Sequence, residues 1–334
     1  MYDVVTIGSA TQDIFLKGIN LLPVEGKCFV AGKGICFPLG AKIRVPQVYF
    51  FTGGSATNTA TTFARYGLNT GIICRLGKDN TGLTILQELQ QEKVDTSLIQ
   101  IDYVLPTAFS LIFLTSDGER TIFSYKGAGD KISLEEILGR KIKTRWLYLG
   151  SLGRERNILK NIIKFAKEKK FLLAINPGWR ELEWLKKNPQ WLKYFEVFIV
   201  NQEEAAYFTG IPYNQEKKLF KKLDNLIQGI VVMTKASRGV VVSDGHYLWK
   251  AGVFSRKKPV DLTGAGDAFA SGFMAVLIKS SSINNLIIEK GIRVGSLNAS
   301  SVIQYIGTKA GILKHKEYKT SLLSKLKIRK RKLC

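Results

Sequence analysis

Val260-Asp261-Leu262-Thr263-Gly264-Ala265-Gly266-Asp267-Ala268-Phe269 governs how the rest of this chain is read. Downstream of it, Phe269, Phe273, Val276 and Leu277 recur at helical spacing, so Gly264 to Asp267 form the opening turn of an apolar helix. Glycine lets the backbone approach a ligand closely. The first N–H groups of a helix lack intrahelical partners and sit at the positive end of its dipole, which suits an anion such as phosphate. An aspartate in that turn would lie beside the bound phosphate, held ionised by the dipole. It would be placed to take a proton from a hydroxyl attacking phosphorus. The same residues also suit a plain helix start in which Asp267 only complements the dipole, and a G-x-G-D alone does not separate the two.

A second glycine turn lies far upstream, Thr52-Gly53-Gly54-Ser55-Ala56-Thr57-Asn58-Thr59-Ala60, with a helix near Asn58 to Tyr66 closed by Gly67. Paired glycines there expose backbone donors, and Asn58 offers both a donor and an acceptor to sugar hydroxyls. Alternatively, the pair is a tight turn that needs positive φ.

Between and beyond the two turns, short apolar runs alternate with helical patterns. The runs are Val4–Ile7, Gly71–Cys74, Trp146–Leu149, Phe171–Ile175, Val197–Val200, Ile230–Met233 and Gly239–Val242, with a helix near Asn157–Lys169. Fully apolar strands separated by helices imply a mostly parallel sheet covered on both faces. Two stretches break the rhythm. Residues from about Phe15 to Phe51 show no clear helix, and Phe109–Tyr125 reads as a β-hairpin turning at Ser116-Asp117-Gly118-Glu119. They are expected to form a small sheet standing apart as a lid, or else an edge extension of the main sheet.

The chain has 334 residues, 45% apolar, which suits a folded α/β domain and excludes wholesale disorder. No apolar run is long enough for a membrane span. Met1-Tyr2-Asp3-Val4-Val5 reads as a first strand rather than a signal peptide. Cys28, Cys36, Cys74 and Cys334 form no C-x-x-C pair, so a reducing, cytoplasmic setting is expected, and two histidines leave no room for His-rich metal sites. The net charge of +23 fits an anionic substrate, nucleic acid, or a lysine-rich surface with no partner. From Lys314 onward the chain carries nine Lys/Arg and one acid. A frayed, solvated terminus is expected there, the alternative being contact with RNA or anionic lipid.

Gly53-Gly54-x-x-x-Asn58, Gly77-Lys78-Asp79-Asn80-Thr81-Gly82 and Asp261-x-Thr263-Gly264-Ala265-Gly266-Asp267, in that order, resemble the paired signatures of the ribokinase/PfkB carbohydrate kinases. The resemblance runs from about Val4 to Gly307. It implies a ribokinase-like α/β domain over residues 1–313, with lid segments at about 15–51 and 106–126, followed by a basic tail, 314–334. It implies ATP-dependent phosphorylation of a sugar hydroxyl, with a nucleoside kinase of the same family as the second reading. A nucleic-acid-binding protein on a kinase fold is a third, from a different class. No Walker A pattern occurs, so the Gly264–Asp267 turn must hold the phosphate.

By the same resemblance, Asp13, Gly53, Gly54 and Asn58 bind the substrate. Asp267 is the base, and the N–H groups of Gly264, Ala265 and Gly266 stabilise the transferring group. Asn201, Thr234, Gly239 and Asn298 line the ATP side. Glu204, in Asn201-Gln202-Glu203-Glu204, would order Mg²⁺ through its waters. Asp261 and Thr263, with carbonyls near Gly307, would hold a monovalent cation such as K⁺. One departure is Ala236, where the family commonly has glycine. Family lids often pair, so a homodimer through the lid is expected; a membrane partner is not.

Overall fold

The structure is a computed structural model and describes residues 1–19, 23–26, 33–114, 120–155, 157–254 and 258–333. In chain order the strands are β1 (Tyr2–Ile7), β2 (Thr11–Lys17), β3 (Pro23–Glu25), β4 (Lys33–Ile35), β5 (Gln47–Gly53), β6 (Thr70–Ile73), β7 (Arg75–Gly77), β8 (Gln100–Asp102), β9 (Phe109–Leu114), β10 (Arg120–Tyr125), β11 (Thr144–Leu149), β12 (Leu172–Ile175), β13 (Val197–Asn201), β14 (Ile230–Thr234), β15 (Val240–Ser243), β16 (Tyr247–Ala251) and β17 (Ile328–Lys332). The helices are α1 (Ser55–Arg65), α2 (Asn80–Gln91), α3 (Leu134–Gly139), α4 (Ile158–Lys169), α5 (Trp179–Lys187), α6 (Gln202–Thr209), α7 (Glu216–Leu226), α8 (Ala265–Lys279), α9 (Asn285–Val302) and α10 (Thr320–Leu323).

Among the described residues, nine strands form the main sheet, ordered β17-β16-β15-β14-β13-β12-β11-β1-β6. Pairing is parallel from β6 to β14 and antiparallel from β14 to β17. The parallel strands are apolar at consecutive positions because both faces are covered. Alternate residues enter different cores. Val5, Leu147, Phe198 and Val231 pack with α4 to α7, whereas Val4, Trp146, Val197 and Val232 pack with α8 and α9. α8 is buried continuously from Ala268 to Ile278, which explains why it is apolar all round.

A separate sheet, β10-β9-β2-β5, is the expected lid. The hairpin of β9 and β10 forms in register as expected, although Ser116–Glu119 lie outside the described residues. β2 starts at Thr11, directly after the carboxyl end of β1, and β5 ends at Gly53, directly before α1. The lid is thus stitched to the end of the main sheet where ligands bind in open α/β folds. Its two faces differ. Asp13, Phe15, Ser110 and Ile112 point inward and are buried. Their neighbours Ile14, Leu16, Leu111 and Phe113 lie on the outer face with the exposed Phe50 and Phe123.

The expected frayed tail is corrected. β17 pairs with β16 along its length, from Ala251↔Ile328 to Tyr247↔Lys332. Leu323 and Leu326 are buried, and the Lys330 ammonium lies 4.0 Å over the Tyr247 ring. Charge density masked the cause: Leu323, Leu326 and Ile328 supply enough apolar surface to dock the segment, while lysine and arginine stems cover the sheet edge.

Candidate active site

Gly264 precedes α8 in the left-handed region at φ 77°, and a side chain there would also meet the Thr308 Cβ at 2.9 Å. Only glycine fits both constraints. Asp261 fixes the turn. Its Oδ1 accepts from the Thr263 N–H at 2.9 Å and the Thr263 hydroxyl at 2.6 Å, and its Oδ2 accepts from the Gly307 N–H at 3.1 Å. The Ala265 N–H reaches the Leu262 carbonyl only at 3.4 Å. Gly266 is exposed, and a Cβ there would have no neighbour within 4 Å. The head of α8 therefore presents N–H groups to open space, as an anion site requires.

Asp267 lies in the first turn of α8, with its Oδ2 accepting from the Asn58 Nδ2 at 2.9 Å. Burial pushes its carboxyl up to about 6, against the lowering effect of the Asn58 donor. Desolvation outweighs the helix dipole here, although a carboxyl at about 6 is still mostly ionised at neutral pH. The shift brings the group closer to neutrality, where a carboxylate is a better base than at its ordinary value.

Asp13 stands on the inner face of β2 and is 7% exposed. Thr11 Oγ1 donates to its Oδ1 at 3.2 Å. Burial raises its carboxyl; the Ser110 and Thr11 hydroxyls and the charges of Lys309 and Lys126 oppose that rise. A side chain on Gly53 would fall 2.1 Å from Asp13 Oδ2. Gly54, at φ 103°, would place a Cβ 2.5 Å from the Ser9 carbonyl oxygen. Asn58 is nearly buried between Asp267 and Thr308, whose hydroxyl donates to its Oδ1 at 2.8 Å. The two signature turns, 209 residues apart in sequence at their Asn and Asp, thus meet through one hydrogen bond.

On the opposite side, Asn201 and Thr234 are register partners at the carboxyl ends of β13 and β14. Asn201 and Glu204 form a reciprocal capping box on α6, each bond 2.8 Å. The Glu204 carboxyl is raised, first by burial and further by the charge of Asp267, so the two acids feel each other across the cleft. A carboxylate pair in such a field is suited to a hydrated divalent cation.

Other expected ATP-side residues have structural duties. Gly239 closes the turn from β14 to β15, where a Cβ would fall 2.0 Å from the Ala251 carbonyl oxygen. Ala236 adopts φ 48°, a left-handed conformation that accounts for glycine at this position in the family. Of the two readings open to Asn298, a nucleotide contact or a buried helix-packing amide, the packing one fits: it is 0% exposed, donates to the Ala268 carbonyl at 2.9 Å and accepts from the Leu313 N–H at 3.0 Å. It ties α9 to α8 rather than lining a nucleotide pocket. The middle signature, Gly77–Gly82, is likewise architectural. Asp79 caps α2 through the Gly82 N–H and accepts from both the N–H and hydroxyl of Thr107, anchoring the approach to β9.

Two site residues are absent from the sequence reading, Thr308 and Lys309. The Lys309 ammonium is buried, bonded to Thr52 Oγ1 and to Glu88 Oε1 at 3.1 Å. Their signal was the polar pair between Gly307 and Gly311, in a segment that ends an apolar helix and would otherwise need no buried lysine.

Comparison with known proteins agrees with this geometry. The ribokinase of Lactococcus lactis is 29% identical over 329 residues, covering 96% of this chain and 97% of that enzyme. The cytidine kinase of Thermococcus kodakarensis is 26% identical over 279 residues, covering 82% of this chain and 93% of that protein. The structure of Arabidopsis thaliana ribokinase complexed with ribose and ATP superposes with a TM-score of 0.76 at 20% identity, over 96% of this chain and 98% of that one. The pfkB family carbohydrate kinase profile matches residues 25–315. With its lid, its α8 anion turn and its paired signatures meeting at Asp267, the chain belongs to the pfkB family of carbohydrate kinases.

Proposed function

We propose that the protein transfers the terminal phosphoryl group of ATP to a hydroxyl of a furanose-type sugar. The observation that supports this reading best is Asp267: a carboxylate with raised basicity, in the first turn of a helix that is open at Gly266, hydrogen-bonded to the sugar-side turn. Asp13, Asn58 and the backbone of Gly53 and Gly54 hold the acceptor under the lid. Asp267 takes the proton of the attacking hydroxyl as the O–P bond forms. The N–H groups of Gly264, Ala265 and Gly266 stabilise the transferring group, and the ends of β13 and β14 at Asn201 and Thr234 flank the ATP phosphates. Glu204 would hold Mg²⁺ through water, and the ion, when bound, neutralises charge on the β/γ oxygens.

Asp261 and Thr263 organise the anion turn by themselves. By the family resemblance, Asp261 and Thr263, with carbonyls near Gly307, would hold a monovalent cation such as K⁺, and a K⁺ titration of kcat tests it. The apolar outer face of the lid, with Phe50 64% and Phe123 53% exposed, supports lid-to-lid homodimerisation. The likeness to a cytidine kinase supports a second reading in which the acceptor hydroxyl belongs to a nucleoside. An ATP-consumption screen over pentoses, hexoses, phosphosugars and nucleosides tests the function. Turnover confined to one class names the acceptor, and no sugar- or nucleoside-dependent turnover overturns the kinase reading.

A further inference from the structure

We infer that Thr308 is a positioning residue for phosphoryl transfer: its hydroxyl holds the Oδ1 end of the Asn58 amide and so keeps the Nδ2 end on Asp267. The inference rests on the reading of Asp267 as the base. Thr308 is 4% exposed and lies in the segment after α9, on neither glycine turn. Its Oγ1 donates to Asn58 Oδ1 at 2.8 Å and approaches the Thr52 carbonyl oxygen at 3.3 Å. Its other arm packs on the anion turn, where the space a Gly264 Cβ would need is taken by Thr308 Cβ at 2.9 Å and Cγ2 at 3.0 Å. One buried side chain therefore touches the partner of the base with its hydroxyl and the phosphoryl-binding turn with its methyl.

The orientation of the amide matters because its two ends are chemically opposite. With Nδ2 toward Asp267, the N–H satisfies Oδ2 and stabilises the ionised carboxylate, while Oδ1 accepts from Thr308. Flipped, Asn58 Oδ1 would face Oδ2, two acceptors without a proton between them, and Asp267 would have to stay protonated to bond. Thr308 adds to that cost: its single hydroxyl proton goes to Asn58 Oδ1 at 2.8 Å rather than to the Thr52 carbonyl at 3.3 Å, so a flip also forfeits this bond. The neighbouring residues reinforce the placement. The Gly307 N–H is held by Asp261 Oδ2 at 3.1 Å, and Lys309 is held by Glu88 Oε1 at 3.1 Å, so the segment has little freedom to drift.

The chain Thr308–Asn58–Asp267 gives a signature that ordinary packing does not. Besides Asn58, the groups that face Asp267 are Tyr148 from β11 and Glu204 from α6; neither is touched by a change at Thr308. Removing the hydroxyl while keeping the shape, Thr308→Val, should lower kcat about tenfold, because the Asn58 hydrogen bond to the charged Asp267 loses its holder. It should also move the acid limb of the kcat–pH profile to higher pH, because Asp267 loses the donor that favours its ionised form. Thr308→Ser, which restores the hydroxyl, should recover both. The expected result is a kcat loss and a shifted limb in Thr308→Val, rescued in Thr308→Ser, with unchanged ATP affinity.

Two results would overturn the inference. Wild-type kcat and pH limb in a folded Thr308→Val protein would show that Asn58 needs no holder. Equal losses in Val and Ser variants, with no pH shift, would show that the residue only packs. A failure of the underlying reading looks different, because Asp267→Asn would then keep its turnover.

Discussion

The two glycine turns of this protein look alike in sequence and differ in what demands the glycine. At Gly53 and Gly54 the protein itself fills the space: Asp13 Oδ2 stands 2.1 Å from one absent Cβ and the Ser9 carbonyl oxygen 2.5 Å from the other. At Gly266 nothing lies within 4 Å. The first turn is glycine because the fold leaves no room. In the second, Gly264 is held to glycine by φ 77° and Thr308, but at Gly266 the fold leaves room that no protein atom uses. A glycine demanded by a ligand shows itself by open space, and one demanded by architecture by a clash.

Substitutions should separate the turns. The largest effect is expected for Gly54→Ala, which combines left-handed backbone with a collision against a carbonyl. It should cost about 4 kcal/mol, seen as a collapsed Tm or as insoluble protein. A folded variant of normal Tm would show that the turn can relax and would weaken the contrast. Gly266→Ala is the counterpart. An alanine in the first turn of a helix should leave Tm unchanged or slightly raised. Crowding the phosphoryl-binding N–H groups should nevertheless lower kcat about a hundredfold. A Tm loss without a kcat loss would make Gly266 architectural too.

Asp13→Ala sharpens the contrast at smaller magnitude. Burial alone disfavours its carboxylate, so Tm should hold. The acceptor KM should rise about tenfold through unpaired hydroxyls, with the ATP KM little changed. Equal rises in both KM values would move Asp13 off the acceptor side.

Much of the fold was legible because hydrophobic period reports burial directly. The parallel strands Val4–Ile7, Trp146–Leu149 and Val197–Val200 are buried at every position, with Thr6 the one aliphatic-chain hydroxyl among them, and each lies between two helical layers. The tail was misread for the converse reason. In Arg329-Lys330-Arg331-Lys332 charge dominates the local pattern, while the docking surface comes from Leu323, Leu326 and the rings of Tyr247 and Trp249, which lie far away in sequence. At the site, the Gly264–Asp267 turn could be read because its residues are contiguous. Asn298 was assigned to the nucleotide because a sequence shows an amide but not its partners, the Ala268 carbonyl and the Leu313 N–H. Thr308 and Lys309 left only a faint signal for the same reason: their meaning lies in contacts to Asn58, Thr52 and Glu88, each more than 200 residues away.

The most direct measurement is kcat of Asp267→Asn on the best acceptor found by the screen, with ATP affinity by calorimetry and the wild-type kcat–pH profile beside it. Loss of the proton acceptor should lower kcat by at least about a hundredfold. ATP binding should persist, because backbone N–H groups carry the phosphate contacts. The wild-type profile should fall as pH drops through about 6, where the raised carboxyl takes up its proton and can no longer accept one. A folded Asn variant with near-normal turnover, or a wild-type rate that stays flat from pH 7 to well below 6, would contradict the assignment of Asp267 as the base.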